Sequence, residues 1–398
     1  VTYTYDDMRC LDAVLAGERE GYVYSRFANP TVTALEHAIA RLEGTEAALG
    51  CASGMSAVHL ALLGAGTRAG STVIAAQDLY GGTRALLAQH LTSQAVRVVT
   101  ADLTDLTAAA QALEQIRPVA VVAETVSNPL LRVTDIPALA GLSHGVGAEL
   151  IVDNTFATPC LLRPALHGAD YVVHSATKYL SGHGDVTAGV IASNQPRCQR
   201  ARELQRLVGN ILGPNEAWLV LRGLKTLIVR MRQQCRNAGQ VARFLSSHDR
   251  VERLFYPGLP SHPQYTLCRR LFPTGLAGAL VSFQLRAADQ EIVFRFMDAL
   301  RLIVPATSLG DVTSLLLYPA HSSHRPLTDD ERLQVGVTAN LVRLSVGIEE
   351  ASDIIADLAQ ALDCEQVWPA GVDEPTVGTK GPRRGKNATV RRDSIRSA

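Results

Sequence analysis

Two short blocks carry the residues best suited to chemistry. The apolar run Ile151-Val152 ends on Asp153 and continues as Asn154-Thr155-Phe156. A second run, Tyr171-Val172-Val173-His174, delivers Ser175, Thr177 and Lys178 to a glycine-rich turn, Ser181-Gly182-His183-Gly184. Only Leu161 to Ala169 separates the two runs, a short crossover that predicts adjacent parallel strands. Parallel neighbours would put Asp153 and Lys178 on one carboxyl edge of a sheet, where open α/β sheets bind ligands. Burial disfavours a lysine's charge, and that same desolvation makes its amine nucleophilic near neutral pH. A lone lysine there would read as a solvated loop residue. A lysine for an aldehyde, a carboxylate for a pyridinium nitrogen, and Ser175 and Thr177 as donors to a phosphate together suit pyridoxal phosphate.

The blocks Asp153 to Phe156 and Ser175-Ala176-Thr177-Lys178-Tyr179 resemble those of the pyridoxal-phosphate enzymes of cysteine and methionine metabolism. That family includes cystathionine γ-synthase and γ-lyase, methionine γ-lyase and the O-acetylhomoserine sulfhydrylases. The resemblance runs from about Tyr22 to Leu362. It implies an α/β chain of the fold-type I, aspartate-aminotransferase-like class, with a mostly parallel sheet and a smaller α+β C-terminal domain. It also implies a homo-oligomer, an active dimer that pairs into a tetramer.

Roles follow from the resemblance residue by residue. Lys178 is implied to hold the cofactor's aldehyde and serve as base, and Asp153 to face the ring nitrogen. Tyr80 would stack on the ring and assist the leaving group, although Tyr80-Gly81-Gly82 alone reads as a turn. Asn128 would lie near the ring hydroxyl and the substrate; by itself Asn128-Pro129 is a turn signal. Gly54 and Met55 would give backbone amides to the phosphate, at a helix start that otherwise reads as a cap. Tyr24 and Arg26, ordinary loop residues on their own, would reach a neighbouring subunit's phosphate. Arg343 interrupts an apolar alternation, so it needs an internal ion pair or, as the resemblance implies, a substrate α-carboxylate. Ser308 is implied to contact that same carboxylate.

Two departures narrow the reaction. Members that handle cystathionine carry an arginine where this chain has Ala85, beside Arg84, and a glutamate where it has Thr307. Their loss favours a substrate tail without a second amino-acid end. Gly82 stands where methionine γ-lyases carry a cysteine. The expectation is a carbon–sulfur lyase of methionine γ-lyase type, with cystathionine γ-lyase or γ-synthase and O-acylhomoserine sulfhydrylase as alternatives. An aminotransferase and a non-catalytic scaffold are rivals from other classes.

The rest of the chain must position these residues. Its 398 residues are 47% hydrophobic and 19% charged, with 38 basic and 38 acidic side chains, a globular balance without a nucleic-acid signature. No apolar run is long enough to span a bilayer, so no membrane partner is expected. The first residues show no secretory signal, and seven scattered cysteines suggest neither a disulfide framework nor a metal site, so a cytoplasmic setting is expected. The chain opens on Val1, and the resemblance implies further residues ahead of it.

Strands are expected at Thr72 to Ala76, Val96 to Thr100, Val119 to Glu124, Leu150 to Asp153, Tyr171 to His174 and Ala188 to Ala192, alternating with helices, one of them Gly82 to Leu91. A single long helical pattern is expected from Leu212 to about Leu245. The expected division is an N-terminal arm over 1–30, a cofactor domain over 31–229, a small domain over 230–364 and a basic, disordered tail over 365–398.

Overall fold

The computed structural model describes residues 1–272, 275–325 and 327–368. Seven strands form one sheet: β1 (Ala47–Cys51), β2 (Thr72–Ala76), β3 (Arg97–Ala101), β4 (Ala120–Glu124), β5 (Glu149–Asp153), β6 (Tyr171–Ser175) and β7 (Gly189–Ser193). Their spatial order is β1-β7-β6-β5-β4-β2-β3. Neighbours from β3 through β6 run parallel, whereas β7 is antiparallel to both β6 and β1. The chain runs from β2 out to β3, then returns to lay β4 on the other side of β2. That reversal opens a crevice at the carboxyl ends of the central strands.

The central strands are apolar runs because helices cover both faces. Every residue of β4 and of β7 is buried. On one face, Tyr171 and Ser175 meet helix Gly54–Gly64; on the other, His174 meets the end of helix Pro30–Glu43. The latter helix has a clear start and stop. Asn29 caps it by accepting the Thr31 amide, Pro30 opens it, and Gly44 closes it at φ +75°.

Five more strands form a second sheet: β8 (Val251–Phe255), β9 (Leu280–Leu285), β10 (Val304–Pro305), β11 (Leu315–Leu317) and β12 (Leu341–Ser345), ordered β10-β11-β12-β9-β8. Antiparallel pairing of β12 with β9 and β11 puts Arg343 opposite Ser282 and Leu317. Helices Leu227–Ser246 and Ala351–Leu362 pack together against this sheet's side of the molecule.

Several expectations need correction. The helix expected over Gly82 to Leu91 is a short α-helix, Gly81–Ala85, running into a π-helical turn, Leu86–Leu91. The long helix expected from Leu212 is two, Pro214–Leu224 and Leu227–Ser246, because the chain leaves helical geometry at Thr226 (φ −114°, ψ 1°). The first thirty residues lack the sustained periodicity of a core helix yet hold a short one, Met8–Leu15, capped by Asp7 and with no buried residue. Val367 and Trp368, expected in a disordered tail, are buried, and the Trp368 indole donates to the Leu362 carbonyl at 2.6 Å. The remainder of that tail lies outside the described residues.

Among the described residues no helix is long and apolar enough to cross a membrane, and no cluster of His, Cys, Asp and Glu has metal-binding geometry.

Candidate active site

The crevice at the strand ends is a cavity of about 480 Å³. Each wall traces to one element. Gly54 and Met55 come from the helix after β1, Tyr80 from the segment after β2, Asn128 from the turn after β4, Asp153 from the end of β5, and Ser175, Thr177 and Lys178 from the end of β6. Arg343 enters from β12 of the second sheet. Ser308 is half-buried between Thr307 and Leu309, which line the cavity. Tyr24 and Arg26 are not in this cavity. Arg26 instead donates to the Arg206 carbonyl at 2.6 Å and lies over the Phe27 ring, on the outer side of the molecule.

The register carries the key juxtaposition. Parallel pairing sets Asp153 beside Val173, one strand from Ser175, so acid and lysine share a rim. Lys178 donates from Nζ to Ser308 Oγ at 3.0 Å and has no acidic partner among the described residues. Burial lowers its pKa, and the Arg343 guanidinium lowers it further. The amine is therefore neutral at a lower pH than an exposed lysine.

Asp153 behaves in the complementary way. Burial pushes its carboxyl up, while the Thr155 hydroxyl at 2.5 Å, the Thr155 amide at 2.9 Å and nearby His174 pull it down. No cation pairs with it among the described residues. A carboxylate held in position without a counter-charge suits a ligand that brings one, such as a protonated ring nitrogen.

Arg343 is 2% exposed. Its Nη1 donates to Asn128 Oδ1 at 2.7 Å and its Nη2 to the Ser308 carbonyl at 3.3 Å, while its Nε has no partner among the described residues. No carboxylate lies within ion-pair distance of it among the described residues. Burial lowers its pKa to about 10. A buried guanidinium served only by neutral acceptors, with part of its fork unused, suits an incoming carboxylate.

At the opposite wall, helix Gly54–Gly64 starts hard against β6. A Cβ on Gly54 would lie 2.7 Å from Ser175 Cβ and 2.9 Å from its Cα. This close approach sets the start of the helix next to Ser175, with Thr177 lining the same cavity, an arrangement suited to a phosphate. The residues present thus match each part of pyridoxal phosphate: an amine for the aldehyde, an acid for the ring nitrogen, and donors for the phosphate.

Among the lining residues that the sequence did not single out is Glu124. Glu124 ends β4 opposite Asp153 in the register, and its carboxylate accepts the Tyr80 amide at 2.6 Å. The signal for it was available, since it closes an apolar strand with an acid just as Asp153 does.

A family model described as Cys/Met metabolism PLP-dependent enzyme matches residues 1–363. The chain is similar to L-methionine gamma-lyase of Pseudomonas putida, 42% identical over 363 residues, covering 91% of this chain and 90% of the relative. It is similar to O-succinylhomoserine sulfhydrylase of Pseudomonas aeruginosa at 40% identity, covering 88% of this chain and 86% of the relative. Among solved structures, cystathionine gamma synthase from Xanthomonas oryzae pv. oryzae, in complex with aminoacrylate and cysteine, matches with a TM-score of 0.85 and 37% identity, over 91% of this chain and 90% of that one.

Proposed function

The chain belongs to the Cys/Met metabolism PLP-dependent enzyme family, and from that premise we propose that it cleaves the Cγ–S bond of a sulfur-containing L-amino acid. The reaction is γ-elimination of methionine γ-lyase type, in which the amino acid and a water give a 2-oxo acid, ammonia and a thiol. The observation that carries this reading is Arg343, a buried guanidinium without an acidic partner among the described residues, in the same cavity as a Lys178 amine biased toward neutrality.

Pyridoxal phosphate, when bound, supplies an electron sink for the electrons left at Cα as its proton departs. Lys178 would bind its aldehyde, Asp153 its ring nitrogen, and Gly54, Met55, Ser175 and Thr177 its phosphate. Asn128 gives its carbonyl oxygen to Arg343, which leaves its NH₂ group for the ring hydroxyl. Arg343 takes the substrate's α-carboxylate through its two terminal nitrogens, with Ser308 backing it. Lys178, its amine biased toward neutrality, would take the Cα proton, and a second proton must leave Cβ before the Cγ–S bond breaks. The Tyr80 phenol, on a lining residue 44% exposed, would give a proton to the departing sulfur.

The rest of the lining bears on the substrate. It includes Val58, Thr307, Leu309, Leu317, Ser322 and Ser323. Arg343 is the only guanidinium among the described lining residues. A cystathionine tail would bring a second carboxylate with no such partner, whereas a methyl thioether fits neutral walls.

A second copy of the chain completes the phosphate site in this reading, with Tyr24 and Arg26 crossing from its arm. The seven cysteines are unpaired, which accords with work in a reducing compartment such as the cytoplasm.

The test is turnover of methionine, cystathionine, homocysteine and O-acetylhomoserine side by side, measuring ammonia and thiol. Methionine should release both without an oxo-acid acceptor. Thiol incorporation into O-acetylhomoserine, with methionine inert, would replace elimination with γ-replacement.

A further inference from the structure

Glu124 has no assigned part in the chemistry above, yet it sits where three parts of the site meet. It closes β4 directly opposite Asp153 and lines the cavity. Its Oε1 accepts the Tyr80 backbone amide at 2.6 Å, and the chain runs on from Glu124 into the turn that carries Asn128. Its own carbonyl accepts the Thr134 hydroxyl at 2.7 Å, which ties the strand end to the far side of the turn holding Asn128. Glu124 therefore joins two segments that leave the sheet from different strands: its side chain holds the Tyr80 segment after β2, and its backbone leads into the Asn128 turn after β4.

Each joined segment presents a working group. Tyr80 starts helix Gly81–Ala85 with no side-chain cap of its own. Asn128 holds the Arg343 guanidinium at 2.7 Å. We propose that Glu124 is a positioning residue that bolts the Tyr80 segment to the Asn128 turn, and so fixes the phenol relative to the guanidinium that receives the substrate's carboxylate. The inference rests on reading the cavity as a pyridoxal phosphate and amino-acid site.

What Glu124 contributes is an acceptor oxygen at a fixed reach. The charged groups facing it are Asp153 and Asp78, both acidic, and the more distant Arg343. Burial first, then the Asp153 carboxyl, push its own carboxyl well above the usual range. A group kept short of charge in this way acts through geometry, and an amide of equal length can replace it.

The experiment uses the full-length protein reconstituted with pyridoxal phosphate, carrying Glu124→Ala, Glu124→Gln or Glu124→Asp. Cofactor Kd is read by equilibrium dialysis, and kcat and KM by ammonia release. Glu124→Ala should lower kcat by roughly 10²-fold, the scale of a displacement of about 1 Å at a reacting group, and weaken cofactor binding. Glu124→Gln restores an acceptor at the same reach and should recover most of both losses. Glu124→Asp keeps the acid but falls one methylene short, and should recover neither.

The Gln and Asp variants decide the matter even where the alanine variant does not fold. Recovery by Asp but not Gln would overturn the proposal in favour of a charge or proton-transfer role. Equal kcat, KM and Kd in the wild type and Glu124→Asp would also overturn it. The dialysis order needs no turnover. If the wild type acts on none of the sulfur amino acids, the proposed function falls, while tighter cofactor binding by Gln than by Asp still upholds the role of Glu124.

Discussion

Asp153 illustrates how a residue can serve a ligand at the expense of the empty fold. Its carboxyl is raised by burial more than Thr155 and His174 lower it. Its folded pKa thus exceeds its unfolded one, and the native state binds the extra proton. The associated stability is present below the ordinary carboxylate range and is lost as pH rises through the raised value. Cofactor-free protein should therefore lose thermal stability as pH rises out of the ordinary carboxylate range, and Asp153→Asn should flatten that slope. The same substitution should weaken pyridoxal phosphate, because the ring nitrogen loses its counter-charge. Calorimetry on cofactor-free protein and a cofactor titration check the two halves; parallel slopes for both proteins would remove Asp153 as their source. Such residues were legible because an acid or a lysine ending an apolar run has no structural excuse. Glu124 carried that signal too, but its partner is a backbone amide after another strand, a contact that no local pattern encodes.

At the scale of elements, the cavity exists because helix Gly54–Gly64 begins in contact with β6. Two glycines permit it. A Cβ on Gly54 would press into Ser175, and one on Gly189 would collide with the Ser53 carbonyl. Gly54→Ala must push the helix start off the strand end, carrying its free amides away from Ser175. The expected result is a loss of about 1–3 kcal/mol in stability together with markedly weaker pyridoxal phosphate binding. Denaturant midpoints and cofactor titration measure these; an unchanged cofactor affinity in a folded variant would show that the helix start does not bind the phosphate. Elements whose burial shows in their composition were readable, β4 (Ala-Val-Val-Ala-Glu) above all. β1 was not: Ala-Ala-Leu-Gly-Cys has little strand character and owes its state to antiparallel pairing with β7. Nor was β8, whose Glu252 and Arg253 are exposed and whose pairing with β9 is irregular.

For the whole molecule, the open question is where the arm belongs. Tyr24 and Arg26 are absent from their own chain's cavity, and the arm lies along the end of helix Gln195–Val208, held by Arg26 and Arg206 through backbone carbonyls. Around it Leu207 is 84% and Val208 63% exposed, and Phe27 is partly exposed as well. Apolar side chains grouped this way favour a face covered by another copy. In a two-fold dimer each arm can serve the opposite cavity, and every such exchange occurs twice. That arrangement makes a distinctive demand on mixed dimers. Lys178→Ala chains have no amine, and Arg26→Ala chains have a defective arm. A hybrid of the two contains one cavity with both defects and one with neither. Equal mixing after dissociation should then restore about one quarter of the wild-type sites, since half the dimers are hybrids with a single intact cavity. The readout is turnover at limiting pyridoxal phosphate, where the Arg26→Ala parent is weakest. Activity no higher than the mean of the two parents would mean that Arg26 acts within its own chain or not at all, and the exposed face beside it would then need a different partner.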